Sequence, residues 1–183
     1  MSIEILVSKQ SFFTKINQLI KNKAKVHIAT YNVWTGILED GRYTNDWGGK
    51  YLNEVGMFFD SLMLNNCSVT VKIGVPRGGD CKLYDMIQLS EIEDGELPFD
   101  SGTCALKSKD KKWIRRFEHM EKRWHKFDFQ QLENNHTKLI LVSPNHYIIG
   151  GRNLSNSEDK DLSFYGSDVE TYSKLLRIFD KLE

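Results

Sequence analysis

His136 and Lys138 stand two residues apart, and Asn153 follows a Gly150-Gly151 pair downstream. These residue types suit chemistry at a phosphate. An imidazole can attack phosphorus or move a proton. The Lys138 ammonium brings positive charge, and the Asn153 amide brings N–H donors, for nonbridging oxygens that gain charge in the transition state. Glycine carries no Cβ, so Gly150 and Gly151 let backbone come close to a ligand and are candidate phosphate-binding positions.

Two strands and a turn must position these groups. Thr137 to Val142 is rich in Leu, Ile and Val and reads as a strand. Ser143-Pro144-Asn145 reads as a turn, and Tyr147 to Gly150 brings a second strand back. Alternate side chains on a strand share a face, so His136 and Lys138 are predicted to point the same way. The hairpin then returns Arg152 and Asn153 to the end of the sheet where they lie.

The stretch from His136 to Asn153 resembles the phospholipase D/nuclease superfamily, whose mark is H-x-K-x4-D followed after six residues by G-G/S-x-N. His136, Lys138, Gly150, Gly151 and Asn153 match at that spacing. The family's Asp falls at Ser143. An odd separation from His136 turns this side chain away on a regular strand, so Ser143 is expected to shape the turn more than the chemistry. The resemblance implies a metal-independent displacement with no cofactor, in which His136 attacks and a second histidine protonates the leaving oxygen. It also implies an acidic residue after the Asn that holds the histidine. Asp161 is the first candidate for this role, with Glu158 and Asp159 competing. Short members with one copy of the motif pair two chains about a twofold axis, so a homodimer with a shared active site is expected.

The rest of the chain supplies an α/β frame, a mixed β-sheet flanked by helices, read as a single domain over residues 1–183. Strands are predicted at Ile3 to Val7, Lys25 to Tyr31, Ser68 to Val75, Asp128 to Leu132 and Asp161 to Tyr165. Helices are predicted at Ser11 to Lys21, Leu52 to Leu64 and from Asp168, a suitable N-cap. The last helix has Val169, Tyr172, Leu175, Leu176, Phe179 and Leu182 as its expected buried face. Alternating β and α elements favour parallel strands with crossover helices. Residues 33–50 form a loop whose Trp34, Tyr43 and Trp47 either stack on bases or pin the loop, the second reading being preferred. Gly78-Gly79-Asp80 reads as a simple turn ahead of an anion-binding nest.

Lys plus Arg equals Asp plus Glu at 25 each, so any polyanion site must be a local patch. Six acidic and no basic residues lie between Asp85 and Asp100. Nine basic and three acidic residues, a net of +6, lie between Lys107 and Lys126. Trp113, Phe117, Met120, Trp124 and Phe127 draw an apolar stripe along this second stretch, which makes it a core-facing helix. Its Arg115, Arg116, Lys122 and Lys126 are candidate contacts to a phosphate backbone. The resemblance, whose short single-motif members are more similar to nucleases than to lipases, implies an endonuclease, and with this basic stretch makes DNA the first-choice substrate. A lipid phosphodiesterase is the alternative enzyme, and a non-catalytic nucleic-acid- or partner-binding protein is the alternative from another class.

Cys67, Cys81 and Cys104 form no C-x-x-C pair and are odd in number, and no leader or long apolar run appears. Reduced thiols, a cytoplasmic setting and no membrane association are the resulting expectations. His27 reads as a satisfied core histidine. No metal-ligand spacing is evident among His119, His125, His146 and the cysteines.

Overall fold

The computed structural model describes residues 3–31, 33, 54–74, 120–132, 135–151, 154 and 161–182. In chain order they form β1 (Glu4–Leu6), α1 (Lys9–Leu19), β2 (Lys25–Thr30), α2 (Glu54–Leu64), β3 (Ser68–Gly74), β4 (Asp128–Leu132), β5 (Leu139–Val142), β6 (His146–Gly150), β7 (Ser163–Ser167) and α3 (Val169–Asp180). The strands make one seven-stranded sheet in the order β1-β7-β6-β5-β2-β3-β4. β2, β3 and β4 run parallel, whereas β5, β6, β7 and β1 join antiparallel. The sheet is thus mixed, and helices cover both of its faces.

Local chemistry explains where the elements begin. Helix α1 starts at Lys9, two residues ahead of the predicted start, because Ser8 caps it. Ser11 N–H donates to Ser8 Oγ at 3.0 Å, and Ser8 N–H donates to Ser11 Oγ at 3.1 Å. This reciprocal pair uses Ser where Glu or Gln is the usual third residue, so the sequence signal is weak. α1 and α2 then bury Phe12, Phe13, Ile16 and Leu19, and Val55, Phe58, Phe59 and Leu62. These join Val26, Ile28, Val69, Val71, Ile73, Ile140 and Ile148 in the larger core. Each such side chain contributes roughly 1.5–3 kcal/mol on full burial.

Met120 to Arg123 are helical, and Met120, Trp124 and Phe127 are buried in that same core, as the apolar stripe predicts for the part described. Trp124 Nε1 donates to Asp60 Oδ1 at 2.9 Å, and Arg123 pairs with the same carboxylate at 2.8 Å. The opposite face of the sheet carries a smaller core: Ala29, Leu139, Leu141, Tyr147, Tyr172 and Phe179.

Helix α3 closes that second core. Asp168 caps it, accepting from Thr171 N–H at 2.7 Å. Its far end is held by Lys72, whose buried ammonium donates to the carbonyls of Phe179 at 3.0 Å and Leu182 at 2.8 Å. A cation there also complements the negative end of the helix dipole. Val169, expected on the buried face, is 65% exposed, because the first turn of α3 lies away from the second core. His27 also departs from expectation. Its Nδ1 is buried and has no hydrogen-bond partner among the described residues, while its ring meets Phe179 edge-on at 5.0 Å.

Candidate active site

The β5–β6 hairpin carries the chemistry-bearing residues, and its two ends differ. At the turn, Ser143 Oγ accepts Lys25 N–H at 2.9 Å and Ser143 N–H donates to Lys25 O at 2.9 Å. This places Ser143 at the beginning of β2. The His136 segment instead meets Tyr31, just past the end of β2, so Ser143 and the imidazole lie near opposite ends of β2.

At the open end, β5 begins at Leu139, two residues later than predicted. Buried Asn135 is the physical reason. Its Oδ1 takes the Thr137 N–H at 3.0 Å, which withdraws that donor from the ladder. His136 and Lys138 therefore precede the regular strand, and alternation along it does not set their directions. Asn135 holds this segment through its bond to Thr137 N–H. His136 is exposed, and neither ring nitrogen has a hydrogen-bond partner among the described residues. Its ring lies flat against Tyr31, with centroids 4.4 Å apart and planes 11° apart. The Lys138 ammonium donates to the His136 carbonyl at 3.2 Å, which keeps positive charge beside the histidine.

Lys138 lies opposite Gly150, whose N–H donates to Lys138 O at 3.3 Å. Its side chain shares a small pocket with Thr30, Gly150, Leu154 and Ser163. Thr30 and Ser163 are buried hydroxyl residues. Thr30 Oγ1 accepts Leu154 N–H at 3.3 Å, and Val33 bridges Leu154, so the chain just beyond position 153 is tied to the end of β2.

Gly150 has a structural use. A Cβ there would lie 2.5 Å from Leu162 O and 2.6 Å from Ser163 Cα, so the missing side chain admits β7. Gly151 is exposed and donates its N–H to Leu162 O at 3.0 Å. A Cβ built on Gly151 would stand 3.7 Å from Asp161 Oδ1, so that carboxylate borders the same end of the hairpin. Asp161 precedes β7, which starts at Ser163 rather than at Asp161 because Ser163 pairs with Gly150.

Lys122 and Lys126 are exposed beside the buried Trp124. Asn153, Arg115, Arg116, His119, Glu158 and Asp159 lie outside the described residues, as do the loop aromatics, Gly78-Gly79-Asp80, the acidic stretch, Cys81 and Cys104. Sequence reasoning missed Tyr31, Thr30, Gly74 and Asn135. Only Asn135, a turn-former beside His136, carried a readable signal. Among the described residues no three His, Cys, Asp or Glu side chains converge as a metal site. No helix among them is long and apolar enough to cross a membrane.

A mixed seven-stranded sheet with helices on both faces, with the H-x-K segment leading into the β5–β6 hairpin, is the phospholipase D/nuclease-like fold. Solved structures that share it include three of different origin. NucT from Helicobacter pylori superposes with a TM-score of 0.54 at 12% identity, over 99% of this chain and 93% of that one. Nuc from Salmonella typhimurium, a phospholipase D family member, gives 0.53 at 10% identity over 99% and 93%. Polyphosphate kinase from Porphyromonas gingivalis gives 0.53 at 9% identity, covering 100% of this chain and 26% of that one. No protein-family model and no curated protein matches the sequence.

Proposed function

We propose that this chain is a metal-independent phosphodiesterase that cleaves DNA through a phosphohistidine on His136. The observation that carries the proposal is the open end of the hairpin. An exposed imidazole, with no hydrogen bond to its ring nitrogens among the described residues, and an adjacent ammonium sit just ahead of the central strand of a phospholipase D-type sheet.

The chemistry follows from these groups. A His136 nitrogen attacks phosphorus, and a P–N bond forms as the P–O ester bond breaks. A second imidazolium gives its proton to the leaving oxygen. That imidazole then takes a proton from water, whose oxygen displaces His136 and restores the enzyme. Lys138, with Asn153 two residues after Gly151 in sequence, stabilises charge on the nonbridging oxygens. Asp161 is the proposed orienting carboxylate and Gly151 the proposed close-approach backbone.

Attack and leaving-group protonation occur on opposite sides of phosphorus, so the second histidine is assigned to the His136 of a second copy. An exposed apolar row supports pairing with a second copy about a twofold axis, which presents the same patch from each chain. Ile5, Phe164 and Ile149 form one exposed row across β1, β7 and β6, with Leu162 beside it. DNA is preferred over phospholipid because Lys122 and Lys126 stand exposed in the +6 stretch. Replacing both by Gln is expected to lower the salt slope of DNA binding by about 2, since each neutralised phosphate contributes roughly 0.9.

The test is cleavage of plasmid, single-stranded DNA, RNA and phospholipid vesicles, each with chelator present. Chelator-resistant DNA cleavage by a species of twice the chain mass supports the proposal. Cleavage of lipid alone, or loss of all activity on chelation, defeats it.

A further inference from the structure

We propose that Tyr31 is a positioning residue for His136, a platform that fixes the imidazole plane and supports its charged forms. This rests on the reading of His136 as nucleophile. His136 lies on an irregular segment, is exposed, and has no hydrogen bond to either ring nitrogen among the described residues. Among the described residues no hydrogen bond holds this ring, with its two side-chain torsions, in one orientation. The parallel stack at 4.4 Å does so. It also covers the correct surface. The nitrogen lone pairs of imidazole lie in the ring plane, so a face-on neighbour restrains the ring and leaves its reactive edge open.

The stack favours the reacting states over the resting one. Neutral imidazole becomes cationic when it is phosphorylated or protonated, and an aromatic face attracts a cation held above it. An interaction that strengthens as charge develops raises kcat more than it lowers KM.

The frame around the pair is built for this contact. A Cβ on Gly74, at the end of β3, would overlap Asn135 O and approach Tyr31 Cδ2 at 2.9 Å and Tyr31 Cα at 3.1 Å. Only glycine there lets the Tyr31 and His136 segments meet. Asn135, next to His136, fixes the other side through its bond to Thr137 N–H. Tyr31 itself belongs to neither core cluster, so its substitution spares the packing of the sheet.

The experiment compares Tyr31→Phe and Tyr31→Leu with the wild-type protein. Proton NMR reads the His136 ring protons, assigned by their loss in His136→Gln, and kinetics read kcat and KM on DNA with chelator. An upfield ring-current shift is expected in the wild type and in Tyr31→Phe, and its loss in Tyr31→Leu. In Tyr31→Leu kcat should fall about tenfold, or about 1.4 kcal/mol, with KM within about twofold and near-complete rescue by Phe. His136 ring protons unmoved by Tyr31→Leu, or an unchanged kcat, overturn the proposal. If the wild type cleaves no DNA, the proposed function fails separately. The rate at which phosphoramidate phosphorylates His136 then replaces kcat as the readout, with the same tenfold expectation and the same overturning result.

Discussion

The two ends of the β5–β6 hairpin use similar polar residues to opposite effect. At the turn, Ser143 both accepts from and donates to Lys25, so its polar groups are spent on joining the hairpin to β2. At the open end, Asn135 takes up the backbone donor of Thr137, and His136 is left with a ring neighbour and no hydrogen bond to its nitrogens among the described residues. A saturated polar group stabilises the fold, whereas one held in place but unsaturated is available to a substrate. The bonds to Lys25 support the expectation that Ser143 shapes the turn more than the chemistry.

Substitutions should therefore separate the two ends. The largest effect is expected at the open one. Lys138→Gln removes the charge beside His136 and should lower kcat by about 10²-fold, roughly 2.7 kcal/mol, a magnitude usual for losing one stabilising donor. Its unfolding midpoint in urea should stay near that of the wild type. A Lys138→Gln enzyme within threefold of wild-type turnover would erase the contrast.

At the turn the pattern should invert. Ser143→Ala loses the bond to Lys25 N–H and should cost about 1 kcal/mol of stability, with turnover unchanged. Ser143→Asp restores an acceptor and should recover most of that loss. A well-folded but inactive Ser143→Ala would place the turn back in the mechanism.

A smaller effect concerns His27, on the strand that joins the two ends. Burial holds its pKa below the ordinary value; Asp180 opposes this, and Lys25 and Lys72 reinforce it. Protonation thus favours the unfolded chain. This stability is complete above about pH 6.5, the unfolded value, and is lost as pH falls from there towards the depressed folded value. His27→Leu should flatten urea stability between pH 7 and 5. Some slope should persist, because burial with Lys21 and Lys15 lowers His146 in the same direction. An unchanged slope would remove His27 as the source.

Much of this architecture was legible in the chain because it rests on local periodicity. β4 falls at Asp128–Leu132, as predicted, and Asp168 caps α3 as its position indicates. The errors arise where distant segments decide. β7 starts at Ser163 because it pairs with Gly150, and alternation in Asp161 to Tyr165 carries no information on that register. β5 starts late because Asn135 diverts one N–H. Tyr31 was unreadable as a site residue because its partner lies over 100 positions away and meets it only through the gap at Gly74. The spacing makes His136 and Lys138 candidates; the Tyr31 stack beside His136 is a tertiary contact that spacing does not show.

Trapping the covalent intermediate tests the central claim most directly. Wild-type protein mixed with radiolabelled DNA and chelator, then quenched in alkali, should yield an acid-labile phosphoramidate on the peptide that contains His136. His136→Ala should fold, carry no label and release no product. Product formation at the wild-type rate by His136→Ala, or a label on any other residue, would contradict the account.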